Sequence, residues 1–314
     1  MAQTLEQLGQ HEQALRSIHS IVHTMKTLAA VNVSPYEQAA QAIDAYHHSV
    51  RDGFAAFAHA SRRQDGDDAQ LPQSFQAQTV ASATDTVLMV AFGSDHGFCG
   101  SYNETLADHL QQHAPRSFLQ SASTTHTTHT THRKRSRLLC IGARLAQALA
   151  ERGFSIDQQL MPAASVDGIS RLAGDIVRRI EQSSDERSFA SLKVSLAWTT
   201  RTAHGSSHPR LSPLLPLPAE LLAAPARWPS PSLPSYRLPA PALLAALIRQ
   251  HLFASVFRAI AEAMATENAA RLALMQQAEQ NVEERLSALR QEIAHQRQET
   301  ITSELMDLIS GHEP

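Results

Sequence analysis

Leu8, Leu15, Val22 and Ala29 stand seven residues apart, and Ile18 and Met25 fill the second position of the same repeat. That is the a/d spacing of a coiled-coil seam, narrower than the apolar stripe of a globular surface helix. The pattern predicts a helix over residues 1 to 62, with a kink or break at Ser34-Pro35, where proline removes a helical hydrogen bond. Residues 61 to 78 are polar and read as a linker.

The period then changes. Thr86–Phe92 is a continuous apolar run bounded by turn residues, the signature of a strand buried on both faces. A glycine-containing turn and a helix from Tyr102 to His113 follow. Arg137–Ile141 and Phe189–Trp198 read as further strands, and Ala143–Arg152 and Ser165–Glu181 as helices. Alternating strands and helices predict a small α/β layer domain over residues 85 to 200, interrupted at 121 to 136 by a low-complexity Ser/Thr/His tract.

Ten of the fifteen prolines lie between Pro209 and Pro241, so residues 205 to 240 are expected to form an extended linker rather than a helix or central strand. After Pro241 there is no proline or glycine as far as Ser310. Residues 241 to 311 are therefore the longest helical candidate, stopped by Gly311. Met275, Val282 and Leu289, with Leu286 and Ile293, continue the 4-3 spacing. At about 1.5 Å per residue that helix would run on the order of 100 Å, more than a compact α/β domain can cover. Its seam needs a partner, and the N-terminal heptads supply one. The expected fold is α/β: a long antiparallel coiled coil of the terminal helices with an inserted Rossmann-like domain.

Composition narrows the function classes. The 314 residues are 43% apolar, 5% aromatic and 18% charged, and alanine-rich composition of this kind favours closely packed helices. A net charge of −3 gives no basic footprint for nucleic acid. Two cysteines, Cys99 and Cys140, exclude a disulfide framework and a four-cysteine zinc site. The N-terminal MAQTLEQLGQ has no basic stretch followed by an apolar one, so no secretory signal is expected. No stretch reaches the roughly 18 uninterrupted apolar residues of a membrane span. A chain that is soluble, or held at a membrane by a partner, is expected.

Candidate chemistry is sparse. Ser94, Asp95 and His96 are consecutive, so they cannot line up as nucleophile, base and orienter, and Gly-Ser-Asp-His-Gly is not a nucleophile elbow. Gly93, Gly97 and Gly100 suggest a phosphate loop only loosely. No lysine follows a glycine, so the phosphate-loop motif is absent. No cofactor is expected. His126, His129 and His132 could ligate a metal but sit in the low-complexity tract, which offers no fixed geometry. His19 and His23, four apart on the first helix, also suit a metal, although one helix supplies only two ligands. Flanking the seam is their expected role.

Four segments, in order, resemble the gamma subunit, the central rotor shaft, of F-type rotary ATP synthases. Ser20–Ala30, with Met25-Lys26, is similar to that family's N-terminal helix. Ser94-Asp95-His96-Gly97-Phe98-Cys99-Gly100, followed by Tyr102-Asn103, resembles its S-D-x-G-[LF]-C-G-x-x-N turn. Thr266-Glu267-Asn268-Ala269-Ala270-Arg271 is similar to its S-E-x-A-A-R, and Arg297-Gln298 through Ile301-Thr302 to Glu304-Leu305 to its R-Q-x-x-I-T-x-E-L. The resemblance implies a non-catalytic rotor that couples transmembrane flow of H+ or Na+ to ATP synthesis or hydrolysis. Its implied partners are the alpha and beta subunits of the catalytic ring, the epsilon subunit and the membrane c-ring. The implied location is peripheral, on the cytoplasmic face of the bacterial inner membrane. Ring-facing residues carried over by motif are Met25, Lys26, Arg271, Arg297 and Gln298, with Leu305, Met306, Leu308 and Ile309 as an apolar tip. The first helix departs from the family in being poor in basic residues, with only Arg16 and Lys26 there, and Asn32–Pro35 stands where a basic continuation is common. The Asn281–Arg285 run looks like a divergent bacterial gamma type that works at the expense of ATP. A coiled-coil adaptor with an α/β head, unconnected to nucleotide, is the alternative. A small-molecule enzyme is disfavoured because no catalytic constellation survives inspection.

Overall fold

The computed structural model describes residues 5–65, 86–119, 136–183, 192–202, 205–222, 228 and 230–310. The 61 to 78 linker beyond Asp65 and the His/Thr tract, His126, His129 and His132 included, lie outside the described residues. Helix α1 spans Leu5–Asp65 and the last helix, α6, spans Ala240–Ser310, 61 and 71 residues long. Between them come β1 (Thr86–Phe92), α2 (Tyr102–His113), β2 (Ser136–Ile141), α3 (Ala143–Glu151), β3 (Gln158–Leu160), α4 (Val166–Ser183), β4 (Leu192–Arg201), β5 (Ser207–Leu215) and the single turn α5 (Ala219–Leu222). The described residues divide into two compact units, one drawn from Met1–Asn32, Phe98–Gly100 and Asn268–Pro314, the other from Val33–Gly97 and Ser101–Glu267.

The first unit is a helix pair. Leu8 and Leu15 of α1 pack with Leu286, Leu289 and Ile293 of α6, and Val282 lies against them. Glu12 meets Arg290, His19 meets Glu283, and His23 meets Glu279. One number rises as the other falls, so the helices are antiparallel. The heptad residues Leu8, Leu15, Val22 and Ala29 are all buried, as their spacing predicts. Ile18 is not. It is 46% exposed, and Met25 is only half-buried, so the second seam position assigned to them is wrong. On α1 the buried contact is a single line, whereas α6 offers Val282, Leu286, Leu289 and Ile293 at both positions, with ion pairs at the flanks.

The second unit is a five-stranded sheet of order β3-β2-β1-β4-β5, parallel except for β5. Alternation along the strands splits the core in two. Leu88, Val90 and Phe92 of β1 face a cluster with Tyr36, Val50, Phe54 and Phe57 of α1, Ile169 and Ile176 of α4, and Leu244, Ile248, Leu252 and Val256 of α6. Met89 and Ala91 face the opposite cluster, with Leu106 and Leu110 of α2 and Leu145 and Leu149 of α3. A strand buried on both faces needs the continuous apolar run that β1 has.

Two expectations change. The chain does not break at Pro35, which lies inside α1. An interior proline costs a helix about 3 kcal/mol, which the burial of Tyr36, Val50, Phe54 and Phe57 offsets. The proline-rich segment is not all linker, since Ser207–Leu215 pairs with β4. Pro209 and Pro213 are tolerated because β5 is an edge strand, with one side free of ladder hydrogen bonds. The sheet therefore ends at Leu215 and not near residue 200. Helix α6 also holds an 18-residue window of mean hydropathy 1.4, apolar enough to cross a membrane by length and composition alone. The buried residues of α6 between Leu244 and Ala265 belong to the core of the second unit.

Candidate partner-binding site

The turn after β1 carries the Ser94-Asp95-His96 cluster, and its geometry is structural. Ser94 is fully buried. Its hydroxyl donates to the carbonyl of His96 at 2.9 Å and accepts from Asn103 Nδ2 at 2.8 Å. Asn103 Oδ1 accepts the Ser94 N–H at 3.0 Å. The hydroxyl is thus committed twice, and its proton goes to a backbone carbonyl.

The turn lies at the carboxyl end of β1, beside the point where the strand order reverses, the usual ligand crevice of an open α/β sheet. Phosphate binds there through free N–H groups at a helix N-terminus. Here the chain's own oxygens take them. Asp95 Oδ1 accepts the Ala143 N–H at 3.1 Å, and the Ser94 carbonyl accepts the Arg144 N–H at 3.0 Å. Gly93 and Gly142 let the two segments approach. A Cβ on Gly93 would sit 2.3 Å from Leu145 Cβ, and one on Gly142, whose φ is +98°, 2.5 Å from the Ser94 carbonyl oxygen. The glycines serve packing between chain segments.

The other candidates lie on the helix pair. Lys26 forms an ion pair with Glu279, which also accepts from His23 Nδ1 at 2.8 Å. The Lys26 ammonium, and then His23, hold the Glu279 carboxyl below the usual carboxylate range. Arg290 and Arg16 do the same for Glu12. Met25 is half-buried. With Ile18 it belongs to a stripe at helical spacing that includes Ile21 and Leu28, each 60% exposed. This second apolar face of α1 points away from the seam. Arg271 is half-buried and engaged by the chain itself.

At the far end of α6, Arg297 and Gln298 are exposed, and their side chains form no hydrogen bond or ion pair among the described residues. With Glu12 opposite Arg290, Leu5 is level with Arg297. Beyond that point α6 continues without α1 beside it among the described residues. Leu305, Met306, Leu308 and Ile309 are all exposed there, Leu308 by 70%. Ile301 is exposed too and shares the face of Leu305 and Leu308. The structure thus brings Arg297 and the apolar tip onto one stretch of α6, and places Met25 and Lys26 elsewhere on the pair. Sequence reading missed Glu279, the partner of Lys26, and the exposed Ile21, Leu28 and Ile301. The 3-4 spacing of these apolar residues was the available signal.

The family model described as ATP synthase matches residues 4–314. This chain belongs to the ATP synthase gamma family. It is a non-catalytic subunit of the central stalk of an F-type ATP synthase, a membrane-associated complex. It is similar to the ATP synthase gamma chain of Sinorhizobium medicae, at 24% identity over 99% of both chains. The gamma chain of Brucella canis is 25% identical, again over 99% of each. Among solved structures, the fold matches a chain of the Euglena gracilis mitochondrial ATP synthase containing OSCP, F1 and c-ring, with a TM-score of 0.56 and 14% identity, covering 98% of this chain and 93% of that one. A chain of the Euglena gracilis rotor matches with a TM-score of 0.53 and 13% identity, covering 95% and 98%. These structural likenesses concern the fold. The catalytic sites of such a complex are on its beta subunits, in keeping with a Ser94–Asp95 turn used for packing.

Proposed function

We propose that the helix pair is the turning shaft inside an alpha/beta ring, and that two apolar surfaces with their polar neighbours are its bearings. The observation that carries this reading is the far end of α6, where Ile301, Leu305, Met306, Leu308 and Ile309 are all exposed among the described residues. Such an exposed apolar stripe needs a collar to exclude water from it. Leu305, Leu308 and Ile309 turn within the ring's upper collar, where apolar contact without directional bonds lets the tip slide. Arg297 and Gln298, just below, meet carboxylates or carbonyls of the beta subunits at one stage of the cycle. Met25, Lys26 and Arg271 lie lower on the shaft, with Ile18, Ile21 and Leu28 extending the Met25 surface. A contact made in one rotary state only changes rates, and one made equally in all states does not.

The partners are the alpha and beta subunits, the epsilon subunit at the foot, and the membrane c-ring. The complex is bacterial and sits on the cytoplasmic face of the inner membrane. It couples H+ or Na+ flow to ATP turnover, and the Asn281–Arg285 run supports the divergent, ATP-driven type. Affinity purification of the tagged chain from its own membranes tests the assembly. Alpha, beta and epsilon subunits are expected, and loss of alpha and beta with retention of epsilon when residues 301–314 are removed would support a tip held by the ring. A tagged chain that brings down none of them would return it to the coiled-coil adaptor class.

A further inference from the structure

His19 and His23 are four apart on α1, and Glu279 and Glu283 are four apart on α6, so each pair shares one helical face. The antiparallel register sets the two faces against each other. His19 Nε2 lies 3.2 Å from Glu283 Oε1, and His23 Nδ1 lies 2.8 Å from Glu279 Oε1. One donor atom from each of His19, Glu279 and Glu283 falls within 4.8 Å of the others. We propose that this cluster binds a divalent cation of the zinc type and clasps α1 to α6 beside the seam.

The donor set argues for that class of ion. Imidazole nitrogen with carboxylate oxygen suits Zn2+, whereas Mg2+ and Ca2+ call for oxygen alone. Ligands about 2.0–2.2 Å from a tetrahedral Zn2+ stand roughly 3.4 Å apart. His19 and Glu283, at 3.2 Å, already stand that close, and Glu279 needs to close by no more than about 1.4 Å, within reach of a glutamate rotamer change. The fourth position falls to His23, already on Glu279, or to water.

Charge favours a cation. Two carboxylates face one ammonium, Lys26, and that ammonium holds Glu279 through Oε2, leaving Oε1 for the metal. Arg16 and Arg290, which line the adjoining groove with His19 and Glu283, are both paired with Glu12. Access is open: a groove of about 630 Å³ runs beside the cluster, with His19, Glu283, Ser287 and Arg290 in its wall. On binding, each nitrogen ligand gives up its hydrogen bond to a glutamate and presents a lone pair, with the proton on the other ring nitrogen or released. The buried Leu15 and Leu286 hold the two helices close by, so the backbone needs no folding around the ion. Residues 264 apart in sequence become joined, which resists separation and twisting of the pair.

The test uses the full chain with His126, His129 and His132 changed to serine, since that tract is the competing source of imidazole. ZnCl2 is titrated against a chromophoric chelator, and helix melting is followed by circular dichroism with Zn2+ or with EDTA. One equivalent of Zn2+ should bind, and a roughly hundredfold excess over its Kd should raise the melt by several degrees. MgCl2 at the same concentration should not. His19→Ala with Glu283→Gln, both on the surface, should weaken binding tenfold or more and abolish the rise, while leaving the EDTA melt within a degree or two. Failure to bind, equal binding by the variant, or binding with no rise in the melt would each overturn the clasp.

Discussion

Asn103 grips Ser94 at both ends, accepting its backbone N–H at 3.0 Å and donating to its hydroxyl at 2.8 Å. Both residues are buried, so neither bond can be replaced by water without rearrangement. Asn103→Ala would orphan a buried N–H, at a cost of about 1–3 kcal/mol. A urea melt of the full chain should show that loss. An unchanged midpoint would mean that the turn does not depend on this grip.

The neighbouring Asp95 acts as a cap for α3 and not as a catalytic group. Asp95→Ala should cost about 1 kcal/mol, the usual loss of a helix-capping side chain. Neither it nor His96→Ala should alter ATP turnover by the purified chain, which is expected to equal the buffer blank. Turnover that co-elutes with the chain and disappears in either variant would overturn the non-catalytic assignment.

His251 makes the acid stability of the second unit predictable. Burial, then His47 and Arg51, push its imidazolium down to about 4, and its ring contacts His47 at 3.0 Å. The unfolded chain takes up a proton near the ordinary value of 6.5, and the folded chain does not until about 4. Stability therefore falls as pH drops through that window, by on the order of 3 kcal/mol at most from this group. In His251→Asn the drop between pH 6.5 and 4 should be shallower than in the parent, as read by urea unfolding at each pH. Parallel profiles would show that His251 is not the group responsible.

Arg297 and Gln298 separate a bearing from a solvated helix face. As exposed positions, their replacement by alanine should change folding stability by roughly 0.5 kcal/mol or less. In the complex, a charge-assisted hydrogen bond worth about 1.5–3 kcal/mol is at stake in one rotary state. The double alanine variant should melt normally, yet lose ATP turnover or ion uptake into vesicles several-fold. Normal coupling with a normal melt would return the pair to the solvated face.

Local pattern made much of this molecule legible. The heptads of Leu8 to Ala29 and the apolar run of β1 each reflect a single local pattern, and both emerged where expected. Where two forces compete, pattern was insufficient. Pro35 argues locally for a break, but the burial of Tyr36 and Phe54 is a tertiary gain that a proline rule cannot contain. The prolines of β5 argue against a strand until it is known to be the edge. At the candidate site, Lys26 and Arg297 are singled out by motif alone. Glu279 was not, because the pairing of α1 with α6 depends on a register that neither helix encodes alone.

The rotor assignment is tested most directly by watching the shaft turn. Cys99 and Cys140 are both buried, and burial pushes the Cys140 thiol up to about 12, so neither competes well for a maleimide. Met161 is 76% exposed, and Met161→Cys provides a handle for a bead on the assembled complex with its ring immobilised. On addition of ATP, the bead should rotate continuously in one direction and stop when ATP is exhausted. A ring that hydrolyses ATP at its full rate while the bead only fluctuates in place would contradict the assignment.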